Sequence, residues 1–240
     1  MDDILLRLED LRVEFSTPEG IVRAVNNVSL SLKRGTTLAL TGESGAGKTS
    51  IGLAILNILP PAGRIVDGRI YFQDKDLLSL STESLRQVRG REIAMVFQDA
   101  TASLNPILSI GEQVKEIITT HLNVSNKEAK RRTIELLARV GLPDPEEVVK
   151  RYPMHLSGGM AQRVMIAIAT ALDPDLLIAD EPTSALDVTV QAAILDELTQ
   201  LQRDHGTSIL LITHDLGIVA QMATEVAVMY AGSIVERATV

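Results

Sequence analysis

Cysteine is absent from this chain of 240 residues. Disulfide bonds, thiolate zinc sites and iron–sulfur clusters held by the chain's own side chains are therefore excluded. Positive charge is also in deficit, because 31 acidic residues outweigh 23 basic ones and leave a formal net charge of −8. A nucleic-acid-binding surface needs clustered lysine and arginine. We therefore expect no nucleic-acid partner.

Long hydrophobic runs are missing as well. No apolar run in the sequence reaches the roughly 18 residues that a membrane span requires. The first ten residues carry acids where a secretory signal peptide would carry bases. We expect a protein that stays on the cytoplasmic side of a membrane and reaches the membrane only through a partner.

A glycine-rich stretch at residues 42–49, GESGAGKT, fits the phosphate-loop pattern G-x-x-x-x-G-K-[ST]. Apolar runs at 37–41 and 50–59, the second ended by a proline pair, predict a buried strand before the loop and a buried helix after it. In such a loop the backbone N–H groups converge on phosphate, Lys48 reaches the β- and γ-phosphates and Thr49 holds Mg²⁺. A chance glycine-rich turn is the alternative. The strand–loop–helix order favours a nucleoside triphosphate site.

Two acids follow a second apolar run, at residues 176–179. A buried strand here would deliver Asp180 and Glu181 at its carboxyl end, where ligands bind in open α/β sheets. Asp180 would then hold Mg²⁺, and Glu181 would orient and deprotonate the attacking water. The alternative is an acidic strand end that faces solvent.

A third pattern is Leu-Ser-Gly-Gly-Met at residues 156–160, which precedes an apolar helix predicted at 164–172. Serine and glycines at a helix N-terminus can form a second anion site. A plain helix cap with a flexible entry turn is the alternative for Ser157.

The pattern of strands and helices predicts one α/β domain over residues 1–240, with a phosphate-loop NTPase core; the family resemblance given below implies that this core is RecA-like. Short alternating strands at 11–15, 21–25 and 28–32 predict an antiparallel β subdomain before the phosphate loop. Residues 101–163 carry apolar positions at helical spacing and predict an inserted helical subdomain. The β subdomain and core would then comprise residues 1–100 and 164–240.

Six motifs follow one another in this chain: residues 42–49, Gln98, residues 156–160, residues 176–181, residues 184–187 and His214. In this order they resemble the ATP-binding-cassette ATPases, over nearly the whole chain. The resemblance implies two subunits packed head to tail, each ATP lying between one subunit's phosphate loop and the other's Leu-Ser-Gly-Gly signature.

The resemblance also assigns roles to single residues. Gln98, expected to end a strand at 93–98, resembles the glutamine that touches Mg²⁺ and the attacking water; a surface amide is the alternative. His214 resembles the histidine that contacts the γ-phosphate. Phe15, the only aromatic residue before the phosphate loop, would stack on adenine, although ordinary sheet packing explains it equally well.

The expected ligands are therefore ATP and Mg²⁺, and the expected residues fall into four groups. The catalytic residues are Lys48, Gln98, Glu181 and His214, and the Mg²⁺ ligands are Thr49, Gln98 and Asp180. The remaining ATP-binding residues of the same subunit are Phe15, Gly42, Glu43, Ser44, Gly45, Ala46, Gly47 and Ser50. Those that would contact the ATP of the other subunit are Leu156, Ser157, Gly158, Gly159, Gln162 and Asp187.

Several details resemble one subgroup of these ATPases, which energises importers of dipeptides, oligopeptides, glutathione or nickel. They are Ser-Leu-Asn-Pro at 103–106, Tyr152-Pro153, Met160 and the segment 186–190. The subgroup implies a second ATPase subunit, identical or sister, two transmembrane permease subunits and an extracytoplasmic substrate-binding protein.

Two other functions stay open. A soluble cassette ATPase of DNA repair or iron–sulfur assembly shares these motifs, although no coiled-coil heptads separate the phosphate loop from the signature here. A regulatory module that binds nucleotide without hydrolysis would not need Glu181 and His214.

Overall fold

Residues 3–184 and 186–240 are described by the computed structural model of the chain. In chain order the first half contains β1 (Ile4–Thr17), β2 (Gly20–Lys33), β3 (Thr37–Gly42), α1 (Lys48–Ile55), β4 (Gly63–Phe72), β5 (Lys75–Asp76), α2 (Thr82–Val88), β6 (Ile93–Val96), α3 (Ala100–Ser103) and α4 (Ile110–His121). The second half contains α5 (Asn126–Arg139), α6 (Pro145–Val148), α7 (Gly158–Ala169), β7 (Leu176–Asp180), α8 (Val188–His205), β8 (Ser208–Ile212), α9 (Leu216–Met222), β9 (Glu225–Tyr230) and β10 (Ser233–Thr239).

The strands form two sheets. One sheet has four antiparallel strands in the order β2-β1-β4-β5, and the other has six in the order β10-β9-β3-β8-β7-β6. In the six-stranded sheet only β10 runs antiparallel to its neighbour, so β3 and β6 to β9 are parallel. The α/β phosphate-loop fold with its antiparallel β sheet is thus confirmed.

The parallel strands are apolar throughout because they are buried on both faces. In β7, Leu176 and Ile178 pack into a core shared with the antiparallel sheet and α1. The alternate residues, Leu177 and Ala179, pack into a second core on the opposite face, formed with α4, α5, α7 and α8. Helices α3 to α6 come between β6 and β7, as the predicted insert requires, and α7 runs through residue 163 without a break.

Three local predictions need correction. The strands predicted at 21–25 and 28–32 are one strand, β2, because Asn27 at φ +58° forms an irregularity in the sheet without ending it. The helix after the phosphate loop ends at Ile55, well before the prolines. Its termination is local: Asn57 has φ +50°, and the N–H of Ile58 donates to the Leu53 carbonyl at 3.0 Å. Strand β6 ends at Val96, two residues short of the predicted end.

Within the described ranges, no helix combines the length and the hydropathy that crossing a membrane would require.

Candidate nucleotide-binding site

The phosphate loop connects β3 to α1, and its shape depends on two glycines. At Gly42 (φ +146°) an added Cβ would lie 2.0 Å from the carbonyl oxygen of Met229. At Gly47 (φ +102°) an added Cβ would lie 1.9 Å from the carbonyl oxygen of Ala24. The loop therefore packs directly on the backbones of β9 and β2, and only glycine fits at these positions.

Lys48, the first residue of α1, is only 8% exposed. Its Nζ donates hydrogen bonds to the carbonyl oxygens of Gly42 at 2.8 Å and of Glu43 at 2.9 Å. The ammonium group thus lies within the curve of the loop, at the positive N-terminal end of α1. Both contributions favour binding of an anion here.

Asp180 ends β7 and is 1% exposed. Burial raises the pKa of its carboxyl group, an effect that a hydrogen bond with the Thr49 side chain opposes. Its Oδ1 atom is buried and has no hydrogen-bond partner among the described residues. A buried carboxylate oxygen without a partner, next to a hydroxyl group, is a suitable donor set for Mg²⁺, which prefers oxygen ligands and usually takes one or two from the protein. The residues present therefore fit this ion.

Glu181 follows with φ +46°, a strained conformation for a residue other than glycine. Its backbone N–H donates to the Ile212 carbonyl at 2.8 Å, which aligns the ends of β7 and β8. This alignment brings the Glu181 Oε1 atom to 2.7 Å from Nδ1 of His214, while Oε2 accepts a hydrogen bond from Thr213 Oγ1 at 3.4 Å. The Glu181 side chain is 13% exposed and the His214 side chain 72% exposed. The carboxylate is thus held in place at the edge of solvent.

These groups line one cavity of about 540 Å³. Its walls are formed by Ala24, Glu43, Ser44, Gly45, Gly47, Lys48, Thr49, Ser50, Gln98, Asp180, Glu181 and His214.

Most residues predicted to bind ATP in the same subunit are thus brought together. Gly42 and Ala46 belong to the loop but lie behind its lining surface, Ala46 being buried. Gln98 lies beyond the end of β6, exposed, and its carbonyl accepts a weak hydrogen bond from Ser184 Oγ at 3.5 Å. Sequence reasoning missed Ala24, because only the close approach of Gly47 places it at the cavity.

Phe15 and Gln162 lie elsewhere. The Phe15 ring packs on Gly63, where an added Cβ would be 2.7 Å from Cε1, and it is not among the residues that line the cavity. Its contact with adenine stays a prediction. Gln162 is 4% exposed, and its Nε2 has no hydrogen-bond partner among the described residues. Its contact with the ATP of a second subunit stays a prediction.

The signature residues form a separate surface. Ser157 is exposed and caps α7, its Oγ accepting a hydrogen bond from the N–H of Met160 at 3.3 Å. Asp187 caps α8 in the same way. An added Cβ at Gly159 would lie 3.4 Å from a methyl group of Val190, so the signature turn and the start of α8 are neighbours.

Neither the signature residues nor Asp187 line the chain's own phosphate cavity. Of the motif at residues 184–187, residue 185 lies outside the described residues.

The fold and the cavity define a phosphate-loop nucleotide-binding domain. The family model described as "ABC transporter" matches residues 25–184, more than half of the chain. The chain is an ATPase domain that belongs to the ABC transporter family, which confirms the predicted resemblance.

The relatives of this chain include ATP-binding proteins of peptide transport. The chain is 51% identical over 237 residues to the oligopeptide transport ATP-binding protein OppD of Bacillus subtilis, covering 98% of this chain and 66% of that protein. It is 48% identical to the dipeptide transport ATP-binding protein DppD of the same organism, covering 98% of this chain and 70% of that protein. The chain thus spans about two thirds of the length of these relatives.

The solved structures include a dimer of the ATP-binding cassette MJ0796 in a post-hydrolysis state, bound to ADP and Pi. It matches this chain with a TM-score of 0.89 and 27% identity, over 98% of each chain.

Proposed function

We propose that this chain hydrolyses ATP in the phosphate cavity as the ATP-binding subunit of a peptide importer. The observation that carries the proposal is the arrangement at the ends of β7 and β8, where Asp180 with its unpaired oxygen and the Glu181–His214 pair share one cavity with Lys48. The likeness to peptide-transport ATP-binding proteins supports the substrate class. Glutathione and nickel, the other cargoes of the subgroup, have no such support among these relatives.

Binding of ATP relies on the loop and on Lys48. The backbone N–H groups of residues 43–49 and the N-terminal end of α1 would receive the phosphates. The Lys48 ammonium group already bonds to loop carbonyls, so it needs little reorganisation to neutralise phosphate charge. Thr49 and Asp180 would hold Mg²⁺, with Gln98 beside them, and the ion would neutralise charge on the β- and γ-phosphates.

Glu181 would act as the general base. In the hydrolytic step a water proton passes to the Glu181 carboxylate, the water oxygen bonds to the γ-phosphorus, and the bond from that phosphorus to the bridging oxygen of ADP breaks. The contacts of both carboxylate oxygens, with His214 and Thr213, orient the side chain for this task. The exposed face of His214 is left to meet the γ-phosphate.

A second ATPase subunit, identical or sister, would complete the site. Ser157, Gly158, Gly159 and Asp187 are exposed or half-buried and lie outside the chain's own cavity, so they are free to contact a nucleotide held by the phosphate loop of another subunit. The dimeric state of the similar cassette supports this arrangement.

Two transmembrane permease subunits and an extracytoplasmic binding protein would complete an importer, with this chain at the cytoplasmic face of the cell membrane. The permease contact would lie in the helical insert at residues 103–106. Next to it, the side chain of Ile107 is 79% exposed.

The experiment is to trap the closed dimer. Glu181→Gln should bind Mg-ATP but stall before hydrolysis, so light scattering should show a dimer that the wild type forms only briefly. Adding Ser157→Arg should abolish this dimer by placing a bulky group at the partner's γ-phosphate. Glu19→Gln, an exposed change in the β1–β2 turn, should behave as wild type.

If Glu181→Gln stays monomeric with saturating ATP, both alone and with its sister subunit, the composite site is refuted. The importer function is tested separately. Vesicles that contain the permease subunits should show ATP hydrolysis stimulated by peptide and its binding protein, and peptide that never stimulates hydrolysis would refute peptide uptake.

A further inference from the structure

Arg89 lies between α2 and β6, far along the chain from the phosphate loop, yet its side chain contacts the end of α1, the helix that follows the loop. Its Nε donates to the carbonyl oxygen of Leu56 at 2.7 Å, and its Nη2 donates to the carbonyl oxygen of Asn57 at 2.9 Å. These carbonyls directly follow α1, where backbone acceptors lack helical partners. The planar guanidinium group suits two neighbouring acceptors, and a positive charge is favourable at the C-terminal end of a helix.

The side of α1 is held by close packing on the sheet. An added Cβ at Gly52 would lie 3.2 Å from Ile178, 3.3 Å from Met95 and 3.4 Å from Ile212, so the helix lies flush against β6, β7 and β8. Such packing fixes the distance of α1 from the sheet. Directional hydrogen bonds at the end of the helix add a restraint along its own axis.

A shift of α1 along its axis would reach the catalytic groups directly. The helix begins at Lys48 and ends at Ile55, so both ends move together. The Thr49 side chain lies beside Asp180, a residue of β7 that would not move with the helix. A displacement of about 1 Å in such an arrangement costs on the order of 100-fold in rate.

The helical insert lies beside the residue that follows Arg89. His121 ends α4. Gly90 has φ +79°, and an added Cβ there would lie 3.6 Å from Nε2 of His121. The N–H of Gly90 donates to the carbonyl oxygen of Ile93, the first residue of β6, at 2.8 Å. Arg89 and Gly90 together therefore contact the end of α1, the start of β6 and the end of α4.

We propose that Arg89 is a positioning residue for ATP hydrolysis. Its guanidinium group sets the axial position of α1, and hence of Lys48 and Thr49 relative to Asp180. The adjacent Gly90 lies against His121, at the end of α4 in the helical insert. The inference rests on the proposed hydrolysis of ATP in the phosphate cavity.

The test compares Arg89→Met, Arg89→Lys and the wild type at a temperature where all three are folded. Methionine keeps an unbranched apolar side chain, and lysine keeps the positive charge without the planar guanidinium group. Arg86→Met, at an exposed arginine of the preceding helix, is the matched control. Each protein is assayed for kcat and KM of ATP hydrolysis, for Mg-ADP affinity by titration calorimetry, and for amide hydrogen exchange in residues 42–57.

A positioning role predicts that Arg89→Met lowers kcat at least about 10-fold, because alignment of Lys48 and Thr49 matters most in the transition state. Mg-ADP affinity should change less than about threefold, because the loop N–H groups remain. Exchange should rise in 42–57, Arg89→Lys should recover part of kcat, and Arg86→Met should match the wild type.

Two results would overturn the inference while leaving the proposed function intact. One is an unchanged kcat in Arg89→Met with only a lower melting temperature, which would show a purely structural role. The other is an equal loss of kcat in Arg86→Met. If the wild type itself fails to hydrolyse ATP with its partners present, the proposed function fails first.

Discussion

Replacing Asp180 with asparagine should make the nucleotide-free protein more stable while it removes catalysis. The Asp180 carboxylate is 1% exposed, and its Oδ1 atom has no partner among the described residues. Burying an ionised carboxylate oxygen without a partner costs more than burying a neutral amide in the same place. Asparagine removes the charge and retains an oxygen that accepts a hydrogen bond from Thr49.

The expected gain in the free energy of unfolding is about 1–2 kcal/mol. For a chain of this size, that corresponds to a rise in melting temperature of about 2–8 °C. The gain should depend on pH with a definite sign. Because burial raises the pKa of Asp180 in the folded state, its stabilising contribution is present below the unfolded pKa and is lost as pH rises through the folded pKa. The advantage of Asp180→Asn should therefore grow as pH rises.

The assay is thermal unfolding with EDTA and without nucleotide, followed by the same measurement with ADP and with Mg-ADP. Ligand at 100 times its Kd stabilises by about 2.7 kcal/mol. The wild type should gain more from Mg-ADP than from ADP, whereas Asp180→Asn should gain equally from both. ATP hydrolysis by the variant should fall at least about 100-fold, since Mg²⁺ supplies several kcal/mol of charge stabilisation.

Asp196→Asn, an exposed change on α8, is the control and should leave stability and hydrolysis unchanged. The reasoning is refuted if Asp180→Asn melts below the wild type at every pH. That result would mean that Asp180 is satisfied in the folded protein and serves its structure.

Three further predictions concern Lys48, Phe15 and Glu197. Lys48→Ala should lower ATP hydrolysis by at least about 100-fold and weaken nucleotide binding measured by calorimetry, because the loop loses its buried cation; wild-type turnover would exclude the assigned role. Phe15→Ala should raise the KM for ATP several-fold at unchanged kcat if the ring stacks on adenine; an unchanged KM with a lower melting temperature would show that the ring only packs on Gly63. Burial raises the pKa of Glu197 to about 7, so the stability that its protonated form contributes should be lost as pH rises from 5 to 8. In urea unfolding, the wild type should lose about 1–3 kcal/mol of unfolding free energy over this range, and Glu197→Gln should not. Parallel profiles of unfolding free energy against pH for the two proteins would contradict this.

Much of the site could be predicted from the sequence because its groups are local. The phosphate loop owes its shape to φ values that only glycines between β3 and α1 tolerate, at Gly42 and Gly47. The acids Asp180 and Glu181 follow directly on a strand buried on both faces, so an apolar run of four residues was enough to place them. Motifs of this kind depend on neighbours in the chain, and no knowledge of the remaining fold is needed to recognise them.

Helix and strand ends were less predictable, since competing local signals decide them. Pro60 and Pro61 are strong helix breakers, yet α1 has already ended at Ile55, through the left-handed conformation of Asn57. Asn27, in the same conformation, only distorts β2, because pairing with β1 continues on both sides of it. The same backbone conformation thus ends a helix but not a paired strand.

The sequence by itself determined the family and the phosphate-loop site, because the motifs that define them lie in short segments, each with its own conformational requirement. Only the tertiary structure decided which segments meet. The 2.7 Å contact between Glu181 and His214 exists because β7 and β8 are neighbours in the sheet. The burial of Gln162, the packing of Phe15 on Gly63 and the contact of Arg89 with the end of α1 depend likewise on partners distant in the chain. A hydrophobic pattern shows which face of an element is buried but not what covers it, because burial energy is non-directional.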